Sequence, residues 1–225
     1  MPGRGGLPVL AELAADRGDG RAWSLRRDDF EALAPVCERL RDHRLAAVRG
    51  DEDRATAAAL ALAGAAGARG RRIALLECDL AQPRLAAALG LAPAPGLHEY
   101  LRWEATAPEI LQPLMLAGPA AGGAAEPLVC IVAGRPATSP APLLESQSFR
   151  HAAAKLGSAY ELTVAVAPPL GDEELALVAA AVDALIVALD PARLSRRSQR
   201  ALRRTLRRLP ATPLGAVTLP ASAVP

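Results

Sequence analysis

Charged residues that could carry chemistry gather at three places in the sequence. The first is a polar turn at residues 49–54, RGDEDR, between a short apolar stretch at 45–48 and an Ala- and Leu-rich stretch at 56–68. The order strand, turn, helix is that of a phosphate-binding loop, although the order alone is a weak signal. The second place is Glu77 and Asp79, at the end of another apolar stretch. The third is a group of eight arginines: Arg193, Arg196, Arg197, Arg200, Arg203, Arg204, Arg207 and Arg208.

The remaining reactive side chains form no recognisable site. Cys37, Cys78 and Cys130 are far apart, lack the spacing of metal ligands and lie in apolar stretches, which favours small buried side chains in a reducing cytosol. The three histidines form no motif. Lys155 is the single lysine and there is no asparagine, so no mechanism here can use a second lysine or any asparagine. The preference for arginine is typical of a GC-rich genome.

The eight arginines crowd one predicted helix. Its buried stripe would consist of Leu194, Ala201, Leu202, Thr205, Leu206 and Leu209. One interpretation is a solvated face in an arginine-biased sequence. The other is a surface for an acidic partner, whether an anionic membrane, an acidic protein or nucleic acid, formed by Arg196, Arg197, Arg200, Arg203, Arg204 and Arg207. No aromatic residues interleave with these arginines, so we do not expect recognition of single strands by base stacking.

The apolar stretches predict the fold class. They are continuously apolar rather than alternating, and they cover residues 45–48, 73–77, 114–117, 128–133, 162–167, 184–189 and 214–219. Strands buried on both faces of a parallel sheet have this character. Helical patterns lie between most of them, and another occupies residues 28–40. We therefore predict a doubly wound α/β fold with a mainly parallel sheet of about seven strands.

Length and composition favour one domain. The 225 residues suit a single domain at 21–225, preceded by a Gly-, Pro- and Arg-rich segment at 1–20 that we expect to be loosely ordered. The net charge of +2 argues neither for nor against nucleic acid. No signal peptide is visible, and the longest apolar run, at 55–68, is too short to span a bilayer. We expect a cytoplasmic protein, with peripheral association at the inner membrane face left open.

Five segments, in order along the chain, resemble bacterial tyrosine autokinases of capsule and exopolysaccharide synthesis, a family of the MinD/ParA group. LLECDLAQPR at residues 75–84 is similar to their LLIDADLRRP, and GLAPAPGLHEYL at 90–101 is similar to their glpnepGLsdyL. AGRPATSPAPLLES at 133–146 resembles aGppppNPaeLLeS, and YELTVAVAPP at 160–169 resembles yDyviiDtPP. PLGAVTL at 213–219 resembles the late strand vlGvVlN. The resemblance implies a P-loop NTPase-like fold.

The resemblance also implies which residues should handle ATP, and most of those in the loop are replaced. The family loop ends in Gly-Lys-Ser/Thr-Thr, where this sequence has Asp53, Arg54, Ala55 and Thr56. Asp53 replaces a glycine that lets the backbone approach a phosphate, and Ala55 lacks the hydroxyl that binds magnesium. Arg54 keeps the positive charge of the lysine, but its guanidinium is bulkier and planar.

The second half of the family site differs as well. Glu77 stands at the first aspartate of the family's DAD motif, and Asp79 matches the second. Val166 stands at the Walker B aspartate, and Pro220 stands at the asparagine that grips the adenine. Family members phosphorylate a tyrosine-rich tail, whereas the two tyrosines of this sequence lie inside the domain.

These replacements predict a non-catalytic pseudokinase that binds a membrane adaptor or an active paralogue in polysaccharide synthesis or export. We expect no cofactor, with ATP and Mg²⁺ bound only if the loop is remodelled. The alternatives are a ParA/MinD-like positioning or DNA-associated protein, and an ATP-binding protein with a remodelled loop. The retained residues Thr56, Glu77 and Asp79 fit either a helix cap and a polar strand end or a residual anion or metal site.

Overall fold

Eight strands form one sheet in the computed structural model, which describes residues 7–13, 27–50, 54–115, 128–169, 173–193 and 195–220. The strands are β1 (Val9–Glu12), β2 (Leu45–Gly50), β3 (Ile73–Glu77), β4 (Gln112–Leu114), β5 (Leu128–Ile131), β6 (Leu162–Val166), β7 (Ala184–Leu189) and β8 (Thr212–Thr218). Their order is β1-β8-β7-β2-β6-β3-β5-β4, and every neighbouring pair is parallel except β4 with β5. The predicted doubly wound, mainly parallel α/β fold is confirmed.

Helices cover the sheet on both sides. They are α1 (Arg27–Ala32), α2 (Ala34–Arg39), α3 (Arg54–Gly67), α4 (Leu85–Leu89), α5 (Leu97–Leu101), α6 (Ala107–Ile110), α7 (Pro140–Glu145), α8 (Gln147–Ala159), α9 (Glu173–Ala179) and α10 (Arg196–Leu206). In β2, Ala46 and Val48 face the core shared with α3, whereas Ala47 faces the core shared with α8 and α10. Because successive residues of a strand point to opposite faces, a strand buried on both faces must be apolar throughout.

The strand β1 was not predicted. It lies within the segment at residues 1–20 that the sequence analysis expected to be loosely ordered, so that expectation is wrong for residues 9–12. β1 pairs with β8, where Gly215 allows the close approach: a Cβ on Gly215 would lie 2.6 Å from the carbonyl oxygen of Pro8. The strand that stabilises β1, β8, is distant in sequence. The Gly, Pro and Arg residues around β1 therefore did not indicate a strand.

Two further elements differ from the predicted ones. The helical pattern at 28–40 is interrupted at Leu33 and forms α1 and α2, because Pro35 has no N–H to continue the helical ladder and suits the first turn of a new helix. The stretch predicted as a strand at 114–117 contributes only Leu114, at the end of β4, and residues 116 and 117 lie outside the described part of the chain. The three cysteines are buried, as expected.

Candidate functional site

The carboxyl ends of β2, β6 and β3 bring most of the predicted site residues together. Val166 pairs with Val48 on one side and with Glu77 on the other. The amide of Ala167 donates to the carbonyl of Val48 at 2.9 Å, and the amide of Cys78 donates to the carbonyl of Val166 at 2.8 Å. The helix α3 begins at the same edge. Arg54, Ala55 and Thr56 therefore lie at the same edge of the sheet as Glu77 and Val166, while Asp53 lies outside the described residues.

Arg54, at the position of the family lysine, is buried in the protein. Its side chain is 2% exposed, and its Nη2 donates to the Asp190 carboxylate at 2.9 Å. Its Nε donates to the carbonyl of Leu219 at 3.3 Å. These two acceptors lie just beyond the carboxyl ends of β7 and β8. The Arg54 guanidinium thus joins the start of α3 to the ends of two strands, and Asp190 balances its charge.

Asp190 is a site residue that the sequence analysis missed. It follows the apolar strand β7 directly and is largely buried, with a side chain 12% exposed. Its second carboxylate oxygen accepts from the amide of Ala192 at 2.9 Å. A lone carboxylate at the carboxyl end of a buried strand is a readable signal, because in a parallel sheet all such ends share the edge where α3 begins.

Glu77 is also enclosed, and three backbone amides bind its carboxylate. One oxygen accepts from Arg84 at 2.5 Å and from Leu85 at 2.8 Å, while the other accepts from Ala133 at 3.0 Å. Burial raises the pKa of Glu77, the three hydrogen bonds lower it by less, and the charge of Asp79 raises it further. The carboxylate connects the end of β3 to the start of α4 and to the chain that leaves β5.

The other predicted positions present little to a ligand. Ala55, Thr56 and Val166 are buried. Asp79 is partly exposed, and its carboxylate accepts from the amide of Gln82 at 3.0 Å, which closes a turn after β3. Among the residues that the structure describes, no three His, Cys, Asp or Glu side chains are grouped so as to hold a metal ion.

Two of the motifs that carried the family resemblance are joined by Glu99. This buried carboxylate accepts from the amide of Gly96 at 2.8 Å, and from the amide and Nε of Arg135 at 3.1 and 2.8 Å. Burial on its own would raise the pKa of Glu99, but these hydrogen bonds, led by the Arg135 side chain, lower it. Gly134 has φ +90, and a Cβ there would lie 2.0 Å from a Glu99 oxygen, so only glycine fits.

A surface cleft of about 550 Å³ lies beside this junction, lined by His98, Arg102, Arg135 and Leu143 among others. Next to Arg102 in sequence, Trp103 is 84% exposed and has φ 63, a backbone conformation that is rare for bulky residues. Backbone conformations of this kind occur often at functional sites, which makes Trp103 a candidate contact residue.

We expect Trp103→Gly to leave the free energy of unfolding within about 1 kcal/mol of wild type. Glycine relieves the unfavourable φ, which costs on the order of 1 to 3 kcal/mol for other residues, and its greater freedom in the unfolded chain offsets part of that gain. Urea denaturation measures the change. Arg39→Gly, at an exposed position of α2, is the control and should cost about 1 kcal/mol. A loss above about 2 kcal/mol in Trp103→Gly would show that this residue is needed for the fold.

The predicted arginine helix exists as α10, with a narrower buried stripe than expected. Leu206 is buried and Leu202 and Leu209 are partly buried, but Ala201 and Thr205 are exposed, so their assignment to the stripe is wrong. Arg197, Arg200, Arg204 and Arg207 are exposed and Arg203 is partly exposed. Leu194 and the side chains of Arg193 and Arg196 lie outside the described part.

Comparison with known proteins shows the fold. No protein-family model and no curated protein sequence matches the chain. The chimerical protein CapA2B2 has a TM-score of 0.78 at 15% identity, over 95% of each chain. The kinase domain of the Escherichia coli tyrosine kinase ETK has a TM-score of 0.77 at 14% identity, over 95% of this chain and 90% of that domain. The Pyrococcus furiosus cell division ATPase MinD has a TM-score of 0.60 at 17% identity, over 78% of this chain and 71% of MinD.

The expected P-loop NTPase-like fold is therefore confirmed, with high structural similarity to bacterial tyrosine-kinase domains at low sequence identity. Among the helices that the structure describes, none is long and apolar enough to cross a membrane.

Proposed function

We propose that this chain is a non-catalytic protein with the fold of bacterial tyrosine-kinase domains, and that it neither binds nor hydrolyses Mg-ATP. The observation that carries the proposal is the contact of Arg54 with Asp190 at 2.9 Å. A phosphate-binding lysine must present its charge to the ligand. Arg54 instead directs its Nη2 and Nε at two protein acceptors, and its side chain is 2% exposed.

The other positions of the site support the same proposal, because the residues present do not fit Mg-ATP. The oxygens of Glu77 accept hydrogen bonds from three backbone amides, so a magnesium ion would have to compete with all three. Val166 and Ala55 offer no oxygen ligand and are buried. In a P-loop enzyme these positions would supply the metal's carboxylate and hydroxyl.

The role that we propose is that of a binding or regulatory partner in capsule or exopolysaccharide synthesis or export, docked on a membrane adaptor or on an active kinase paralogue. The fold similarity to tyrosine-kinase domains supports this class of partner. The exposure of Trp103 supports a protein contact, because tryptophan is enriched at protein interfaces and among the residues that dominate their binding energy. Glu99 accepts from Gly96 and Arg135 next to the surface cleft.

The catalytic part of the proposal is tested with purified protein and Mg-ATP. We expect no phosphate release above a buffer blank and no phosphotyrosine on the chain, because the residues at the loop and strand positions cannot place the metal and the phosphates. The ETK kinase domain in the same buffer is the positive control. Magnesium-dependent turnover that Arg54→Ala abolishes would contradict the proposal.

The partner role is tested by adding the purified chain to an active tyrosine autokinase from the same organism and following the rate of autophosphorylation. We expect a saturable change of rate. Trp103→Ala should weaken it, and Lys155→Gln, an exposed control on α8, should leave it intact. No change with any autokinase or adaptor of that organism would argue against the role.

A further inference from the structure

The charge distribution of the chain is uneven after Asp190. Residues 191–225 contain eight arginines and no aspartate or glutamate. Four of these arginines, Arg200, Arg203, Arg204 and Arg207, follow the spacing i, i+3, i+4 and i+7, which places them on one face of α10 and its last turn. They line a surface pocket of about 320 Å³. Four cationic side chains therefore converge on one small volume.

These guanidinium groups have no assigned role inside the protein. Within the residues that the structure describes, none of the four makes an ion pair or a side-chain hydrogen bond. Arg54 and Arg135, by contrast, each bind a buried carboxylate. Like charges one helical turn apart repel each other, so a multivalent anion in the pocket would relieve an unfavourable arrangement. The arginines lie near the C-terminal end of α10, where the negative end of the helix dipole stabilises positive charge.

The packing of α10 indicates what kind of anion fits. Its apolar side, with Leu206 buried and Leu202 partly buried, packs on the core, and between the arginines the helix exposes only small or polar residues such as Ala201 and Thr205. Among the described side chains of α10, no large apolar residue is fully exposed for insertion into a bilayer. A flat membrane or a long duplex suits charges spread along a surface, whereas convergent guanidinium forks suit several phosphate groups held close together.

The pocket is remote from the degenerate nucleotide site. β7 ends at the sheet edge where Arg54 and Asp190 lie, and α10 returns the chain to the opposite edge, where β8 begins at Thr212. The four arginines run from the middle of α10 to the residue after its end, so most of them lie toward that opposite edge. A ligand bound there would not touch Arg54.

We propose that Arg200, Arg203, Arg204 and Arg207 form a binding site for a compact soluble polyphosphate, meaning a ligand with two or more linked phosphate groups. Each guanidinium can donate two parallel hydrogen bonds to phosphate oxygens, and four of them match the charge of such a group. The proposal is independent of the proposed partner role and of the absence of ATP turnover, since it concerns other residues.

Isothermal titration calorimetry with tripolyphosphate, in EDTA, tests the site. We expect saturable binding of tripolyphosphate to one site, with an affinity that falls as the salt concentration rises. The affinity should fall at least about tenfold in R200Q/R204Q, because each lost hydrogen bond to a charged group contributes substantially to the binding free energy. The matched control is R39Q/K155Q, which removes two exposed positive charges from α2 and α8 and should stay within about twofold of wild type. Circular dichroism confirms that each variant is folded, and R203Q/R207Q replaces the first variant if it is not.

Several outcomes would overturn the proposal. One is the absence of saturable binding by wild type, and another is an equal loss of affinity in the control and the pocket variant, which would show attraction by net charge alone. Binding to vesicles of phosphatidylcholine and phosphatidylserine, or to duplex DNA, without binding of tripolyphosphate would assign the arginines to a membrane or a nucleic acid instead. Phosphate release and autokinase assays are unaffected by these outcomes, so the two proposals fail separately.

Discussion

Replacing Asp190 with alanine is expected to lower the free energy of unfolding by about 3 to 5 kcal/mol, the usual cost of breaking a buried ion pair from one side. The reason is that Arg54 keeps its charge when the carboxylate is removed, in a position where its side chain is 2% exposed. The variant also loses the acceptor for the amide of Ala192. Urea denaturation, followed by circular dichroism, measures the change.

Two controls separate the ion pair from other effects. In R54M/D190N the buried charge is gone and the asparagine can still accept from Ala192, so we expect a smaller loss than in Asp190→Ala alone. Glu38→Ala removes an exposed pair with Arg41 and should cost less than about 1 kcal/mol. If Asp190→Ala lowers the free energy of unfolding by no more than Glu38→Ala, water hydrates the Arg54 guanidinium. The claim that Arg54 has a structural role would then be wrong.

Glu77→Ala is expected to cost at least about 3 kcal/mol, because three backbone amides lose their acceptor in a site from which water is excluded. Glu77 as a residue is 1% exposed. Glu145→Ala, an exposed glutamate of α7, is the matched control and should change the free energy of unfolding by less than about 0.5 kcal/mol. A loss below about 1 kcal/mol in Glu77→Ala would show that the connection to α4 and β5 is dispensable.

Glu77 should also affect how the free energy of unfolding depends on pH. Burial raises its pKa above the ordinary value of 4.5. The folded protein then keeps this proton at pH values where the unfolded chain has released it, so this group's contribution to stability falls as the pH rises from 4.5 through the raised pKa. We expect the stability difference between wild type and Glu77→Gln to shift against wild type over that rise in pH. A difference that moves the opposite way would mean that the amide bonds outweigh burial.

The sheet was well predicted because the pattern that identifies a buried strand lies within the strand itself. Strands such as β2 and β7 are buried on both faces and are apolar at nearly every position, so they can be recognised without knowing their neighbours. β1 was missed because its stability depends on the close approach to Gly215, far along the chain. The interruption of the helical pattern at 28–40 was readable from Pro35.

The contacts around the candidate site could not be predicted from the sequence. Among the described residues, those aligned with the family loop and strand ends lie at one sheet edge. Nothing near Arg54 in sequence shows that its partner is Asp190, 136 residues later. The use of Glu77 as an acceptor for three amides depends on backbone groups from α4 and β5. Trp103 has no local signal for a positive φ, because that conformation is set by the turn around it.

The central claim is that Arg54 is bound by protein acceptors and that the site cannot hold Mg-ATP. A thermal-shift titration of the wild-type chain is the most direct test of this claim. A ligand that binds only the folded state at 100 times its dissociation constant adds about 2.7 kcal/mol of stability, which is readily seen as a rise in Tm. We predict no rise with Mg-ATP up to millimolar concentrations. A saturable rise at sub-millimolar Mg-ATP, lost in Arg54→Ala, would show that the loop is a working nucleotide site and would contradict the account.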